Sequence, residues 1–405
     1  MYLKTARYFK AVSIYESPST ILFVFGCVLY YLANLLEMSI VVAMYGNGHP
    51  IMLVIKMLRY FAYIVLLLKI VFYSLIKKNN VVTIAMIFAI LFCNYVIGLD
   101  KTLLFYMLLL LASEGIKADI ILKVFVYVAG GILSAYIILS RGGIVTDYIL
   151  DKGTRNRHFL GFSWTTSAPI LFLFIILCVV YLNRGKIDIL EYGILSIFNL
   201  YFFIMTNTKL AFLISFCSIT FFFLFKNGNA IKKITLKSKW ILVFLPLLLF
   251  ILSFVSTSCY DSHDKRWRNI NELLTGRLEL GKNAIDCYGI KLFGNKVDWI
   301  GYPLFSEYRG EYNYVDSSYI RILVQFGVLV LLLILVMYSA FIYMSITTNK
   351  VFLTWILVFI CVFSLTEPRL INLTFNPFPL ILLSEYNDFL RIKKDSLLKY
   401  KFAFR

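Results

Sequence analysis

Apolar residues fill most of this chain in long runs parted by short polar stretches. Runs of roughly 17–25 residues cross about 30 Å of hydrocarbon as helices. They predict about 12 spans, at 19–36, 51–74, 81–98, 102–113, 120–140, 167–183, 189–205, 209–225, 240–256, 318–345, 351–366 and 370–388. One polar interval is long, from Ser256 to Ser317. It predicts a large water-exposed loop between the ninth and tenth spans. Inside it, Ile270, Leu273, Leu274, Leu278, Ala284, Ile285 and Tyr288 recur at helical spacing, which predicts an amphipathic helix over 270–288. Arg277 falls in the middle of its apolar face. A guanidinium turned toward a partner surface is costly unless it meets an anion, supplied by a ligand or by a structural carboxylate.

Composition agrees with this reading. Hydrophobic residues make up 60% of the 405 and charged ones 15%, against roughly 45–50% and about 25% in soluble domains. The fold class is an all-α polytopic membrane protein. It divides into an N-terminal transmembrane region (1–256, about nine helices), the large loop (257–317), and C-terminal transmembrane helices with a basic tail (318–405). A net charge of +18 reads here as basic cytoplasmic loops rather than as a nucleic-acid surface. Lys4 and Arg7 precede the first span, Lys77 and Lys78 follow the second, Arg184 and Lys186 the sixth, and Lys226, Lys232 and Lys233 the eighth. With an even number of spans these share the cytoplasmic side with both termini, and the large loop and loop 141–166 lie outside. Cys259 and Cys287 share the large loop, and spacing alone leaves their pairing open.

Several outer basic residues oppose that rule. Arg141 and Arg157 lie in loop 141–166, Arg277 and Arg309 in the large loop, Lys209 at the outer start of the eighth span, Arg321 early in the tenth, and Lys56 and Arg59 near the outer end of the second. As a set they point to an anion held at the outer surface, such as a phosphate or diphosphate head group. Taken singly, each also fits a solvated surface charge. No phosphate-binding loop, metal-ligand spacing or nucleophile elbow occurs. The loop aromatics Trp299, Tyr302, Phe305, Tyr308, Tyr312 and Tyr314 suit stacking on sugar rings or simple packing.

Four stretches in order resemble the Wzy-type polymerases of bacterial polysaccharide repeat units and, more distantly, the O-antigen ligases. They are Arg157-His158-Phe159-Leu160-Gly161-Phe162; Thr275-Gly276-Arg277-Leu278 followed by Leu292-Phe293-Gly294; Tyr314-Val315-Asp316-Ser317-Ser318-Tyr319 with Gly327 beyond; and Thr366-Glu367-Pro368 with Asn376. The chain departs from the family where Trp164-Thr165-Thr166 replaces a usual Pro-Asn. It departs again where Thr206-Asn207-Thr208-Lys209 keeps a charge without the bidentate fork of arginine.

The resemblance implies an enzyme of the bacterial plasma membrane that acts at its outer face. Such an enzyme moves a growing glycan from undecaprenyl diphosphate onto the next lipid-linked repeat unit, with no metal and no cofactor. Its partners would be the lipid-linked donor and acceptor, the bilayer, and a flippase and a chain-length regulator. Arg277 and Arg157 would hold diphosphate, supported by Arg141, Lys209, Arg309, Arg321, Tyr319, Lys56 and Arg59. His158, Asp316 and Glu367 would be the candidate bases. Asp316, Ser317 and Ser318 also compete to cap the tenth helix. A lipid-linked oligosaccharide flippase or other transporter, and an O-antigen ligase, are the alternative readings.

Overall fold

A computed structural model of the chain describes residues 17–45, 49–73, 78–151, 156–301 and 312–390. Almost all of its regular structure is helical. Six helices are long and apolar enough to cross a membrane: α1 (Pro18–Glu37), α3 (Pro50–Tyr73), α6 (Ala118–Arg141), α8 (Ile189–Thr206), α11 (Lys239–Ser258) and α15 (Gly327–Thr347). The short α2 (Ile40–Tyr45) follows α1. Four apolar segments are shorter: Ile84–Gly98 within α4 (Lys78–Gly98), α5 (Thr102–Ala112), α7 (Ser167–Leu182) and α16 (Val351–Phe363). The pair α9 (Lys209–Leu224) and α10 (Asn229–Lys237) bends by 114°. The chain is thus an all-α polytopic membrane protein, with six membrane-length helices among the described residues, or seven with the bent pair, where hydropathy predicts about 12 spans.

The shortfall has physical causes. Most side chains of α7 are buried, including Ile170, Leu171, Phe174, Ile176 and Cys178. A helix that is apolar all round lies inside protein, and α7 packs against α6, α8, α9 and α16. Its length of about 24 Å at the usual helical rise is free of the bilayer's constraint because its neighbours cover it. The predicted twelfth span is not a continuous helix. Residues 370–377 run irregularly, a 3-10 turn covers Phe378–Ile381, and helix resumes over 382–390. Pro377 and Pro379 deny this stretch backbone donors. Asn376 and Ser318 serve its polar backbone instead. Asn376 Nδ2 donates to the Leu370 carbonyl at 2.7 Å, and the Leu370 amide donates to Ser318 Oγ at 3.1 Å.

Other expectations also change. Loop 141–166 carries a two-stranded hairpin, β1 (Ile149–Asp151) and β2 (Asn156–His158). The predicted helix 270–288 is two helices, α12 (Lys265–Leu273) and α13 (Arg277–Tyr288), separated where Thr275 and Gly276 both take positive φ. Leu278 and Ala284 are buried as predicted, but Leu273 is 84% exposed because the break turns it out of the stripe. Cys259 and Cys287 are free thiols.

The predicted tenth span is broken too, into α14 (Ser318–Gln325) and α15. At the break, Gly294 and Gly327 press backbone to backbone, both with positive φ. The segment before Gly294 satisfies the groups that the break frees. Val328 and Leu329 donate to the Lys291 and Leu292 carbonyls at 3.1 and 3.2 Å, and Asn295 donates to the Gln325 carbonyl at 3.2 Å. Asn94 on α4 clasps both strands of the crossing through the Phe293 and Phe326 carbonyls, at 2.7 and 3.2 Å.

A methyl group on Gly327 would sit 2.3 Å from the Gly294 nitrogen, and one on Gly294 would sit 2.2 Å from the Gln325 oxygen. Each alanine substitution should cost about 2 kcal/mol from backbone strain alone, with the overlap in addition. Gly130→Ala, where the added methyl meets nothing within 4 Å, should be neutral or slightly stabilising. Thermal unfolding of the detergent-solubilised variants checks this, and an unchanged melting temperature for Gly327→Ala would remove the close crossing.

Candidate functional site

The site gathers at the end of the bundle where α6, α8 and α14 have their site-side termini and where α13 docks. α13 begins on Gly276, and Asn271 of α12 serves its first amides: Oδ1 accepts from Leu278 at 3.0 Å and from Glu279 at 3.3 Å. Leu278 is buried, and Gly281 lets α13 approach Thr257 of α11. This seat fixes Arg277 as the first helical residue. A cation there meets the positive end of the helix dipole, so its stability depends on nearby anions.

Those anions are two carboxylates of the protein. Arg277 Nε donates to Asp316 Oδ2 at 3.0 Å, and an Nη donates to Glu367 Oε1 at 3.3 Å. The Arg277 and Glu367 side chains are 15% and 8% exposed. Ser318 holds the Glu367 turn by donating to its main-chain carbonyl at 2.6 Å. Ser317 heads α14 with no side-chain cap, and its Oγ lies 2.9 Å from Ser253 Oγ. The capping role therefore falls to none of Asp316, Ser317 or Ser318.

One guanidinium faces two carboxylates, so one negative charge is left without a counterpart. Burial, reinforced by Asp316, pushes the Glu367 carboxyl up to about 7, against the opposing pull of Arg277, Arg369 and Arg157. Such a group is both acid and base near neutral pH.

A second cluster forms around the hairpin. His158 Nδ1 lies 2.7 Å from Asp147 Oδ2, and Asp147 Oδ1 accepts the Leu160 amide at 2.9 Å. Arg141 reaches Asp147 at 3.9 Å, Tyr201 at 3.4 Å and the Met205 sulfur. Arg157 on β2 crosses to the turn joining α8 and α9, donating to the Thr206 carbonyl at 2.9 Å and to Thr208 Oγ1 at 3.4 Å. That turn is closed by Asn207 in the left-handed conformation, and Lys209 beyond it is exposed. The Arg157 charge also lowers the Glu367 carboxyl, as the weakest of the influences on it.

The Leu160-Gly161-Phe162 stretch is structural. Leu160 and Phe162 are fully buried, and the Gly161 carbonyl accepts the Ile40 amide at 2.9 Å.

The remaining candidates disperse. Tyr319 is fully buried with its hydroxyl donating to the Cys361 carbonyl at 3.0 Å, so it offers no surface to a ligand. Arg59 pairs with Glu37, and Lys56 is exposed on α3. Arg321 lies over the rings of Trp299 and Tyr314, 5.2 and 4.4 Å from their centres. Arg309, with Tyr302, Phe305 and Tyr308, lies outside the described residues.

Comparison with protein-family models, with curated proteins and with solved structures finds no match to this chain. Sequence reasoning missed Asp147, Asp100, Gln325 and Arg369. Arg369 had a usable signal, because it follows Glu367-Pro368 directly. Asp147 had none, being one acid in an apparently featureless loop. Among the described residues, no three His, Cys, Asp or Glu side chains are placed to hold a metal ion.

Removing one member of a buried charge cluster leaves the others uncompensated. Arg277→Ala should cost about 3–5 kcal/mol and push the Glu367 carboxyl higher still. In the native chain Glu367 holds its proton up to about 7, whereas an unfolded glutamate releases it near 4.3. The native state thus binds more protons between these values, so stability falls as pH rises through that window and levels off above it. Glu367→Gln should flatten this slope. Denaturant unfolding from pH 4 to 8 reads it, and equal slopes in the two proteins would sink the assignment.

Proposed function

We propose that this chain is a polysaccharide polymerase, joining undecaprenyl-diphosphate-linked repeat units at the outer face of a bacterial plasma membrane. The observation that carries the reading is Glu367, a buried carboxyl poised near neutrality among arginines at one end of a membrane bundle. The residues named for their resemblance to the Wzy-type family support it, since Arg277 pairs with both Asp316 and Glu367 and the Arg157 charge bears on Glu367.

In this reading Glu367 takes the proton from the acceptor sugar's hydroxyl. The hydroxyl oxygen forms a bond to the anomeric carbon of the donor, and the carbon–oxygen bond to the lipid diphosphate breaks. The diphosphate leaves with the electron pair. Arg157 and Lys209, beside the turn between α8 and α9, offset its charge. Arg277 is reassigned from the diphosphate to the base, because its guanidinium is already engaged by Asp316 and Glu367. The orientation and the span count of about 12 follow from charge and hydropathy: basic loops inside, and the loop over 257–317 outside.

A transporter is the second reading. A cavity of about 750 Å³ opens at the opposite end of the bundle, among Lys117, Arg184, Lys232 and Lys350, and a flippase needs access from both sides. Ion pairs cross that cavity from Arg184 to Asp119 and from Lys350 to Glu385 and Asp388.

Cells lacking the gene, and cells carrying Glu367→Gln at normal protein level, should show single lipid-linked repeat units and no glycan ladder. Repeat units confined to the cytoplasmic leaflet in the null would make the protein a flippase, and a full ladder left on its carrier would make it a ligase. In purified form the rate should rise with pH through about 7, and Glu367→Gln should lower it roughly 10²–10⁴-fold. A normal ladder in Glu367→Gln would remove the base.

A further inference from the structure

A second cavity, of about 250 Å³, adjoins the Glu367 turn through Ser318 and Pro368. Arg321, Arg369, Asp100, Tyr106, Tyr314 and Asn372 line it. Neither guanidinium forms an ion pair among the described residues. The Nε of Arg369 is buried without a hydrogen-bond partner, and its guanidinium lies 4.2 Å from the centre of the Phe375 ring. A buried donor left unmade is costly. Arg321 lies over the rings of Trp299 and Tyr314, its Nε 3.4 Å from Gln325 Oε1. Two arginines are therefore held around a space, and among the described residues neither guanidinium is neutralised by a carboxylate.

We propose that this cavity receives the acceptor's terminal sugar and selects one bearing a carboxylate, a uronic acid. The inference rests on the polymerase reading above. Size argues for a single ring, because pockets for larger ligands begin at roughly 300 Å³. Charge argues for a single negative group. Arg321 and Arg369 contribute two positive charges and Asp100 one negative, a balance of one. A diphosphate carries more charge than that and would face the Asp100 carboxylate. Asp100 is held by the Thr102 amide at 2.9 Å and by Gln325 Nε2 at 2.7 Å, an arrangement that leaves lone pairs for sugar hydroxyls. Arg369 also links the cavity to the base, since its amide donates to the Glu367 carbonyl at 2.8 Å and its charge bears on the Glu367 carboxyl.

The test is binding of D-glucuronate, D-glucose and inorganic pyrophosphate to the full-length protein in lipid nanodiscs, read by ligand-observed NMR. Glucuronate should bind at least about tenfold more tightly than glucose, the worth of one charge-assisted hydrogen bond. Arg369→Gln and Arg321→Gln should each remove about that factor for glucuronate and leave pyrophosphate unchanged. Equal affinity for the two sugars in the native protein overturns the proposal, whether or not either variant folds. Loss of pyrophosphate binding in the variants also overturns it, by making the cavity the diphosphate site. Binding needs no turnover, so a failure here is distinct from a failure of the ladder experiment, which alone tests the polymerase reading.

Discussion

A helix that breaks within a membrane protein frees backbone groups that lipid cannot satisfy. In this chain that constraint is met at one crossing, where the segment ending in Gly294 runs against Gly327 and Asn94 clasps both. The crossing lets α14 leave the line of α15, and α14 begins beside Asp316. The same segment closes the large loop after α13, which carries Arg277 at its first turn. The relative placement of Arg277 and Asp316 thus depends on backbone packing well away from either side chain. Ser318, at the head of α14, then extends the arrangement to the 364–370 turn and Glu367.

Charge accounting explains the rest of the site. A buried guanidinium with one carboxylate is a balanced pair, and with two it leaves one proton undecided. Glu367 is the more enclosed of the two, and that burial raises its carboxyl. Arg157 and Arg369 limit how far that shift goes. The raised Glu367 carboxyl thus arises first from burial and then from the neighbouring Asp316, set by the positions of three segments remote in sequence.

The sequence was most legible where length and hydropathy coincide. The helices α1, α3, α6, α8, α11 and α15 each overlap a predicted span. It was least legible where an apolar stretch is buried on all sides, as at 373–381. There periodicity cannot separate helix from buried irregular chain, although Pro377 and Pro379 argued against a helix. Within the large loop, the amphipathic stripe located the docked face at Leu278 and Ala284. It missed the break at Thr275 and Gly276, because a non-glycine residue at positive φ leaves little trace in composition. For the site, the sequence showed that Arg277 requires an anion. Whether a substrate or the protein itself supplies it was a question of tertiary distance, and Asp316 and Glu367 supply it.

The short central helix has a consequence for how the bundle answers to its bilayer. α7 is about 24 Å long, its neighbours α9 and α16 are no longer than it, and most of its side chains are buried against protein. Its length therefore answers to the helices around it and not to a hydrocarbon layer of about 30 Å. A thicker or thinner bilayer would act on the lipid-facing helices by tilt or local deformation and would leave the packing of α7 as it is.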